Sequence, residues 1–197
     1  MTWIEAPREV TAATAEAMER ELAAKGYVPE YARVFAHRPE VYAAWQTLNK
    51  AVRSAAGERR YELATLAAAL RLRSSYCSLA HGGVLASEHL DAGAVRAIAE
   101  GRPQEVLSRE EVAVVRLADR VASGAAAMTE EHLAEVRSVG LRDDEILDVV
   151  LAAAARCFFS TVLDAVGAQP DAAYRALDPV LRDALTVGRP IAEEPGA

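Results

Sequence analysis

Apolar positions along this chain recur at the spacing of helices and seldom alternate as they do in strands. Val112, Val115 and Val121, for example, follow helical spacing. Alanine is the commonest apolar residue and comes in runs at residues 67–69, 125–127 and 152–155. Because alanine is the best helix former and lets helices approach closely, the pattern predicts an all-α fold.

Capping residues and helix breakers divide the chain into segments. Gly26 suits the left-handed position after a helix, and Ser108 with Glu111 forms a capping box. The predicted helices cover about residues 11–25, 29–35, 39–54, 58–72, 76–89, 91–101, 109–123, 129–139 and 143–166. Gly82 and Gly83 interrupt the fifth of these, which indicates either a close helix contact or the approach of a substrate.

The predicted helices group into one domain, because no linker-like stretch separates two. We assign residues 1–25 to an N-terminal helical extension and residues 26–187 to a single helical bundle. Residues 188–197 are rich in Pro, Gly and Glu and are predicted to be a disordered tail.

Composition narrows the function classes. The chain has 197 residues, of which 52% are hydrophobic and 26% charged, and its formal net charge is −7. An acidic surface argues against nucleic acid as a partner. The N-terminus resembles no signal peptide, and the longest uncharged stretch, Ser74–Ser87, is too short to span a membrane. We therefore expect a cytoplasmic protein without a membrane segment.

The chain has two cysteines, Cys77 and Cys157, too few for a disulfide scaffold or a cysteine zinc site. Cys157 lies in the most apolar predicted helix, where we expect a buried structural cysteine. His37, His89 and His132 are isolated among polar residues and are predicted to lie at the surface. We expect neither a metal site nor a cofactor.

Cys77 is the residue with the most evident chemistry. It lies near the start of a predicted helix, and His81 follows four positions later on the same helical face. Unpaired N–H groups at a helix N-terminus favour a thiolate, and a nearby imidazole assists. Glu62, on the preceding helix, is placed to orient His81. The alternative is that Cys77 is a small core residue and His81 a packed or solvated one.

These residues resemble a family motif. The redox-active branch of the alkylhydroperoxidase D and carboxymuconolactone decarboxylase superfamily has a Glu, a Cys-x-x-Cys twelve positions later, and a His four after the second Cys. Glu62, Cys77 and His81 match these offsets. Ser74 occupies the first cysteine position, and Tyr76 stands where some members have a His.

The resemblance covers about residues 26–175 and is closest to the peroxidase-related branch in the second half. Further similar segments are residues 26–29, 141–150, 158–159 and 164–167. The resemblance implies an AhpD-like helical bundle that assembles as a homo-oligomer, such as a trimer, a hexamer or a dimer.

The resemblance also implies an antioxidant thiol peroxidase. In the family the second cysteine attacks the peroxide and the first resolves the sulfenic acid as a disulfide. Cys77 would be the attacking residue, with His81 and Glu62 as proton relay. Since a serine cannot form a disulfide, Ser74 would serve only as a helix cap or a hydrogen-bond donor to the thiolate. The cycle would then use one cysteine and an external thiol reductant.

Two other functions are open on this sequence. One is a cofactor-free lyase that acts on a lactone-like substrate with His81 and Glu62, as in the decarboxylase branch. The other is a non-catalytic, oligomeric partner protein. The lyase has no use for Cys77, and the partner protein would have no activity to lose when Cys77 is changed.

Overall fold

The computed structural model describes residues 2–193, and these form helices and turns without a β-strand. The helices are α1 Ala12–Lys25, α2 Glu30–Phe35, α3 Pro39–Ala56, α4 Glu58–Arg71, α5 Ser75–Val84, α6 Ala92–Ala99, α7 Arg109–Gly124, α8 Glu130–Ser138, α9 Asp143–Ala165 and α10 Pro179–Leu185. The predicted all-α fold is confirmed. The fifth predicted helix ends earlier than expected, and a π-helical turn at Leu85–His89 continues it. The short helix α10 was not predicted.

Helix ends follow the capping chemistry of the sequence. The Thr11 side chain accepts a hydrogen bond from the backbone N–H of Thr14, and Gly26 ends α1 with a φ of 79°. At α7 both bonds of the Ser108–Glu111 capping box are present. Local sequence therefore fixes where these helices begin and end.

Helix α4 lies at the centre of the bundle and packs against α5, α7 and α9. Its residues Ala64, Ala68 and Ala69 are fully buried. On α9, Ala152 and Ala153 are equally buried. Small side chains at these positions let the helix axes approach closely, which brings residues of α4, α5 and α9 together in the interior.

Helix α9 is also the one described helix that is long and apolar enough to cross a membrane, by length and composition alone. Half of its most apolar window is buried within the fold. It carries Arg156, which is 5% exposed and has partners inside the bundle. This is the pattern of a core helix.

An aromatic cluster joins α2, α3 and α9. The rings of Phe35 and Tyr42 stack on each other at 5.4 Å, and Phe159 stacks on Phe35 and on Trp45 at 5.4 and 5.1 Å. Phe35, Tyr42 and Trp45 are all buried, and Cys77 belongs to the same buried cluster.

The N-terminal helix α1 packs as part of the bundle. Its Glu21 carboxylate accepts hydrogen bonds at 2.5 Å from the hydroxyls of Tyr31 and Tyr42. The Thr14 hydroxyl donates to the carbonyl of Ala36 at 3.2 Å. These contacts join α1 to the aromatic cluster, so residues 12–25 are not separate from the domain.

The end of the chain differs from the disordered tail predicted for residues 188–197. The Gly188 N–H donates to the Ser75 Oγ at 2.7 Å, and the Ser78 Oγ donates to the Leu185 carbonyl at 2.5 Å. Arg175 donates to the carbonyls of residues 191 and 192. The described residues 188–193 are thus held to the bundle, because serine side chains of α5 and the side chain of Arg175 pair with backbone groups of the C-terminal segment. Residues 194–197 lie outside the described residues.

The two adjacent glycines of α5 lie in different environments. A Cβ on Gly82 would lie 2.5 Å from Cδ1 of Leu185, which is fully buried. A Cβ on Gly83 would lie 3.4 Å from Leu177, an ordinary contact. Gly82 therefore permits a close approach between α5 and α10, which favours the close-contact interpretation.

We expect Gly82→Ala to be less stable than Gly83→Ala by about 2 kcal/mol. Both substitutions gain roughly 1 kcal/mol of helix propensity, whereas overpacking against a fixed core side chain costs about 1–3 kcal/mol. Urea unfolding of the two variants measures the difference. Equal stability, or a Gly82→Ala protein more stable than Gly83→Ala, would contradict the packing seen here.

Candidate active site

Cys77 lies in the first turn of α5, three residues after the N-cap Ser74. Its side chain is 1% exposed. The unpaired N–H groups and the dipole of the helix end favour negative charge in this turn. His81 lies one turn further along α5, as the sequence predicted.

Glu62 and His81 form a hydrogen bond between α4 and α5. The Oε2 of Glu62 lies 2.6 Å from the Nδ1 of His81, and Glu62 is 2% exposed. Because an ionised carboxylate only accepts, Nδ1 carries the proton and Nε2 is the basic nitrogen. Arg53 pairs with the other oxygen of Glu62 at 3.8 Å. The structure thus brings Glu62 and His81 together, while their role in a reaction stays a prediction.

The sulfur of Cys77 has a partner that sequence reasoning missed. Nη1 of Arg156, on α9, lies 3.5 Å from the Cys77 Sγ. The guanidinium also lies against the rings of Phe159 and Trp45, at 5.4 and 5.9 Å from their centroids. A buried, permanently charged guanidinium beside sulfur stabilises a thiolate.

Tyr61 connects the arginine to the rest of the site. Its hydroxyl accepts a hydrogen bond from Nη2 of Arg156 at 3.2 Å and donates to Oδ1 of Asn49 at 2.6 Å. Its ring meets that of His81 edge-on, with centroids 5.9 Å apart. Tyr61 therefore contacts both the group beside Cys77 and the imidazole.

The sequence holds one signal for Arg156. It is the only charged residue between Asp148 and Asp164, in an otherwise apolar stretch. A lone arginine in such a helix is buried only when it has partners. That signal indicates a buried polar contact, but it does not say that the contact is Cys77.

The charges of the site shift the ionisation of the Glu62–His81 pair. Burial raises the pKa of Glu62, but the contact with His81 and the charges of Arg53 and Arg156 outweigh it and hold that pKa below its usual value. Burial and the charge of Arg156 lower the pKa of His81, against the opposing effect of Glu62. At neutral pH the pair is therefore a carboxylate and a neutral imidazole.

Ser74 and Tyr76 precede Cys77 in the chain, and neither side chain forms a hydrogen bond with its sulfur. Ser74 is the N-cap of α5, as predicted, but its buried side chain does not cap the helix. It faces Asp164, and burial raises the pKa of that carboxyl, with Ser74 partly offsetting the effect. The Tyr76 hydroxyl donates to Asp171 and accepts from the N–H of Tyr31 at 3.5 Å. Tyr76 thus anchors the segment around Asp171 to α5.

Cys157 and His89, which lie outside the site, differ from the sequence-based expectations. Cys157 is partly exposed rather than fully buried, although burial still raises its pKa. His89 is not isolated, because the π-helical turn places it near Glu58 and Glu88, with potential ligand atoms within 4.8 Å of one another. Both glutamates are exposed, and Glu58 pairs with Arg53 at 3.5 Å.

Solved structures share the fold of this chain. No family model and no curated protein matches it. An uncharacterized peroxidase-related protein from Ralstonia eutropha JMP134, described as an alkylhydroperoxidase AhpD core, aligns with a TM-score of 0.77 and 18% identity over 88% of this chain and 94% of that one. A peroxidase-related protein from Silicibacter sp. TM1040 aligns with a TM-score of 0.69 and 20% identity, over 89% and 94% of the two chains.

A third similar structure is a cysteine-to-alanine variant of the debrominase Bmp8 in complex with 2,3,4-tribromopyrrole. It aligns with a TM-score of 0.72 and 16% identity, over 90% of this chain and 94% of that one. At sequence identities of 16–20%, structural similarity establishes the fold alone. The resemblance predicted from the spacing of Glu62, Cys77 and His81 is confirmed at that level: this chain has the all-α fold of the AhpD-like, peroxidase-related proteins.

Proposed function

We propose that this protein is a thiol-dependent hydroperoxidase in which Cys77 attacks the peroxide and His81 and Glu62 move the proton. The observation that carries the proposal is the Arg156 guanidinium 3.5 Å from the Cys77 sulfur, in an interior that also holds the Glu62–His81 pair. A cysteine that served only as a core residue would not need a buried cation beside it.

The charges of the site favour an internal proton transfer. The Glu62 carboxylate and the Arg156 guanidinium are both buried and carry opposite charges. Moving the Cys77 proton to Nε2 of His81 creates a thiolate next to Arg156 and an imidazolium next to Glu62. Each new charge meets a fixed charge of opposite sign, and the net charge of the site does not change. Because the charged groups are already in position, the surrounding protein needs little reorganisation when the reaction occurs.

In the first half of the cycle, the Cys77 thiolate attacks the terminal oxygen of a hydroperoxide. An S–O bond forms, the O–O bond breaks, and the leaving alkoxide takes the proton that His81 received from Cys77. The products are an alcohol, a neutral His81 and Cys77 sulfenic acid. Arg156 and the start of α5 stabilise the negative charge before the attack.

The second half of the cycle needs an external thiol, because Ser74 occupies the position of a resolving cysteine. One thiol condenses with the sulfenic acid and releases water, which leaves a mixed disulfide on Cys77. A second thiol attacks that disulfide, returns the Cys77 thiol and leaves as an oxidised dimer. Two thiols are thus oxidised for each peroxide reduced.

A second candidate function is thiol-dependent debromination of a small aromatic ring. The similar structure of the debrominase Bmp8 favours it, together with the aromatic rings of Trp45 and Phe159 beside Arg156. This function would use the same thiol and the same external reductant. A ring carbon would exchange bromine for hydrogen, bromide would be released, and two thiols would be oxidised to a disulfide. The released product distinguishes debromination, which yields bromide, from peroxide reduction, which yields an alcohol.

We expect the imidazole of His81 to titrate in NMR with a midpoint below its ordinary value of 6.5, since burial and Arg156 disfavour the imidazolium. Glu62→Gln should lower the midpoint further, because Glu62 is the group that favours protonation. The control Glu135→Gln removes an exposed carboxylate on α8 and should leave the midpoint unchanged. A midpoint at or above 6.5, or a rise in Glu62→Gln, would show that the charge arrangement is misassigned.

The same shift makes stability depend on pH. As the pH falls below about 6.5, the unfolded chain binds a proton at His81 before the folded protein does. The free energy of unfolding should therefore decrease on acidification through this range.

We expect purified protein to consume cumene hydroperoxide in the presence of dithiothreitol, and Cys77→Ser to abolish this activity. Dimedone should trap a sulfenic acid on Cys77 after peroxide treatment. Cys157→Ser is the matched control and should retain full activity, because Cys157 has no part in the cycle.

Full peroxidase activity in Cys77→Ser would overturn the thiol mechanism. No activity and no adduct in the wild-type protein would favour a non-catalytic role. Bromide release from tribromopyrrole that depends on Cys77, without peroxide consumption, would favour the debrominase function.

We expect Arg156→Gln to slow the oxidation of Cys77 by peroxide about 10- to 100-fold, the loss typical of one buried electrostatic donor. Stopped-flow measurement with limiting peroxide gives the rate directly. Arg53→Gln, which alters a half-exposed arginine near Glu62, is the control and should have a smaller effect. Equal losses in the two variants would mean that Arg156 supplies no specific stabilisation.

A further inference from the structure

Access to Cys77 is closed in the structure. The side chain is 1% exposed and lies within the aromatic cluster, beneath Arg156 and Phe159. Any molecule that reacts with the sulfur must pass a side chain that moves. The question is which side of the molecule offers such a passage.

A cavity of about 980 Å³ lies between the segment around the start of α2 and the C-terminal segments. Its lining includes Tyr27, Val28, Asp171, Ala173, Arg175 and Ile191. We call it the Asp171 cavity. Its volume is at the upper end of the range for small-molecule sites, and its wall combines apolar side chains with a carboxylate and a guanidinium.

The Asp171 cavity is connected to the thiol site through Asp171 itself. The carboxylate accepts hydrogen bonds from the Tyr76 hydroxyl and, at 2.8 Å, from the backbone N–H of Glu30. Tyr76 is the direct neighbour of Cys77 on α5. The other described cavities are lined by residues 4–40, by the start of α4 with α7, or by α7 with α8.

Tyr174 links the wall of the cavity to the surroundings of the thiol. It belongs to the short 3-10 helix Ala172–Ala176, and its neighbours Ala172, Ala173 and Arg175 line the cavity. Its ring meets that of Tyr76 edge-on at 6.1 Å. It also packs against both buried clusters, one of which contains Cys77.

We propose that the Asp171 cavity is the entrance to Cys77 and that the Tyr174 side chain is its gate. This proposal does not depend on the proposed function, because any thiol reagent must take the same route.

Access is tested by alkylation of Cys77 with N-ethylmaleimide in a Cys157→Ser background, so that one thiol reacts. Ala173 is exposed at the cavity wall, and Ala173→Trp should slow the reaction at least tenfold. Ala134→Trp, the same change at an exposed position on α8, is the control and should not. Tyr174→Ala should accelerate the reaction. Since unfolding exposes the thiol, a slower reaction in Ala173→Trp does not result from a damaged fold.

Equal rates in Ala173→Trp and Ala134→Trp would overturn the entrance, and an unchanged rate in Tyr174→Ala would overturn the gate. If the wild-type protein consumes no peroxide, the proposed function fails, while the alkylation rates still decide the entrance.

Discussion

The buried positive charge of Arg156 is the constraint on which the site depends. An arginine that is 5% exposed loses its hydration, a cost of several kcal/mol unless partners replace the water. The protein supplies the sulfur of Cys77, the hydroxyl of Tyr61 and two aromatic faces. These partners come from α3, α4, α5 and α9, so the arginine keeps its compensation only if the four helices pack in this register. The small alanine side chains of α4 and α9 let these helices approach closely enough for the partners to reach Arg156.

The second buried charge, Glu62, explains why a cation is tolerated so near the imidazole. Arg156 alone would oppose protonation of His81, and its charge does lower the pKa of that residue. Glu62, bonded directly to Nδ1, acts in the opposite direction and keeps the imidazole within reach of a proton. In a low dielectric both effects are large, so neither residue could be removed without leaving the other uncompensated.

The sequence predicts those parts of the site that local geometry determines. Cys77 and His81 share a helix, so four positions suffice to place them on one face. Glu62 meets His81 because α4 and α5 are joined by a short turn in which Arg73 has a φ of 55°. Arg156 is separated from Cys77 by 79 positions, and no spacing rule connects residues across such a distance. A lone charge in an apolar helix indicates that a partner exists, whereas only the packing of α9 identifies it.

The position of the C-terminal segment also depends on contacts between residues that are far apart in sequence, so it could not be predicted. The composition of residues 188–197 is that of a disordered tail, yet the Gly188 N–H donates to the Ser75 Oγ at the start of the cysteine helix. Just before this segment, the Leu185 carbonyl accepts from the Ser78 Oγ. Hydrogen bonds between backbone groups and serine side chains leave no hydrophobic pattern to find. On the proposed function, a sulfenic acid without a resolving cysteine persists until a thiol arrives and is open to further, irreversible oxidation. A thiol that is 1% exposed limits how often a second peroxide reaches the sulfur. Burial of the thiol and the absence of a resolving cysteine are then two parts of one arrangement.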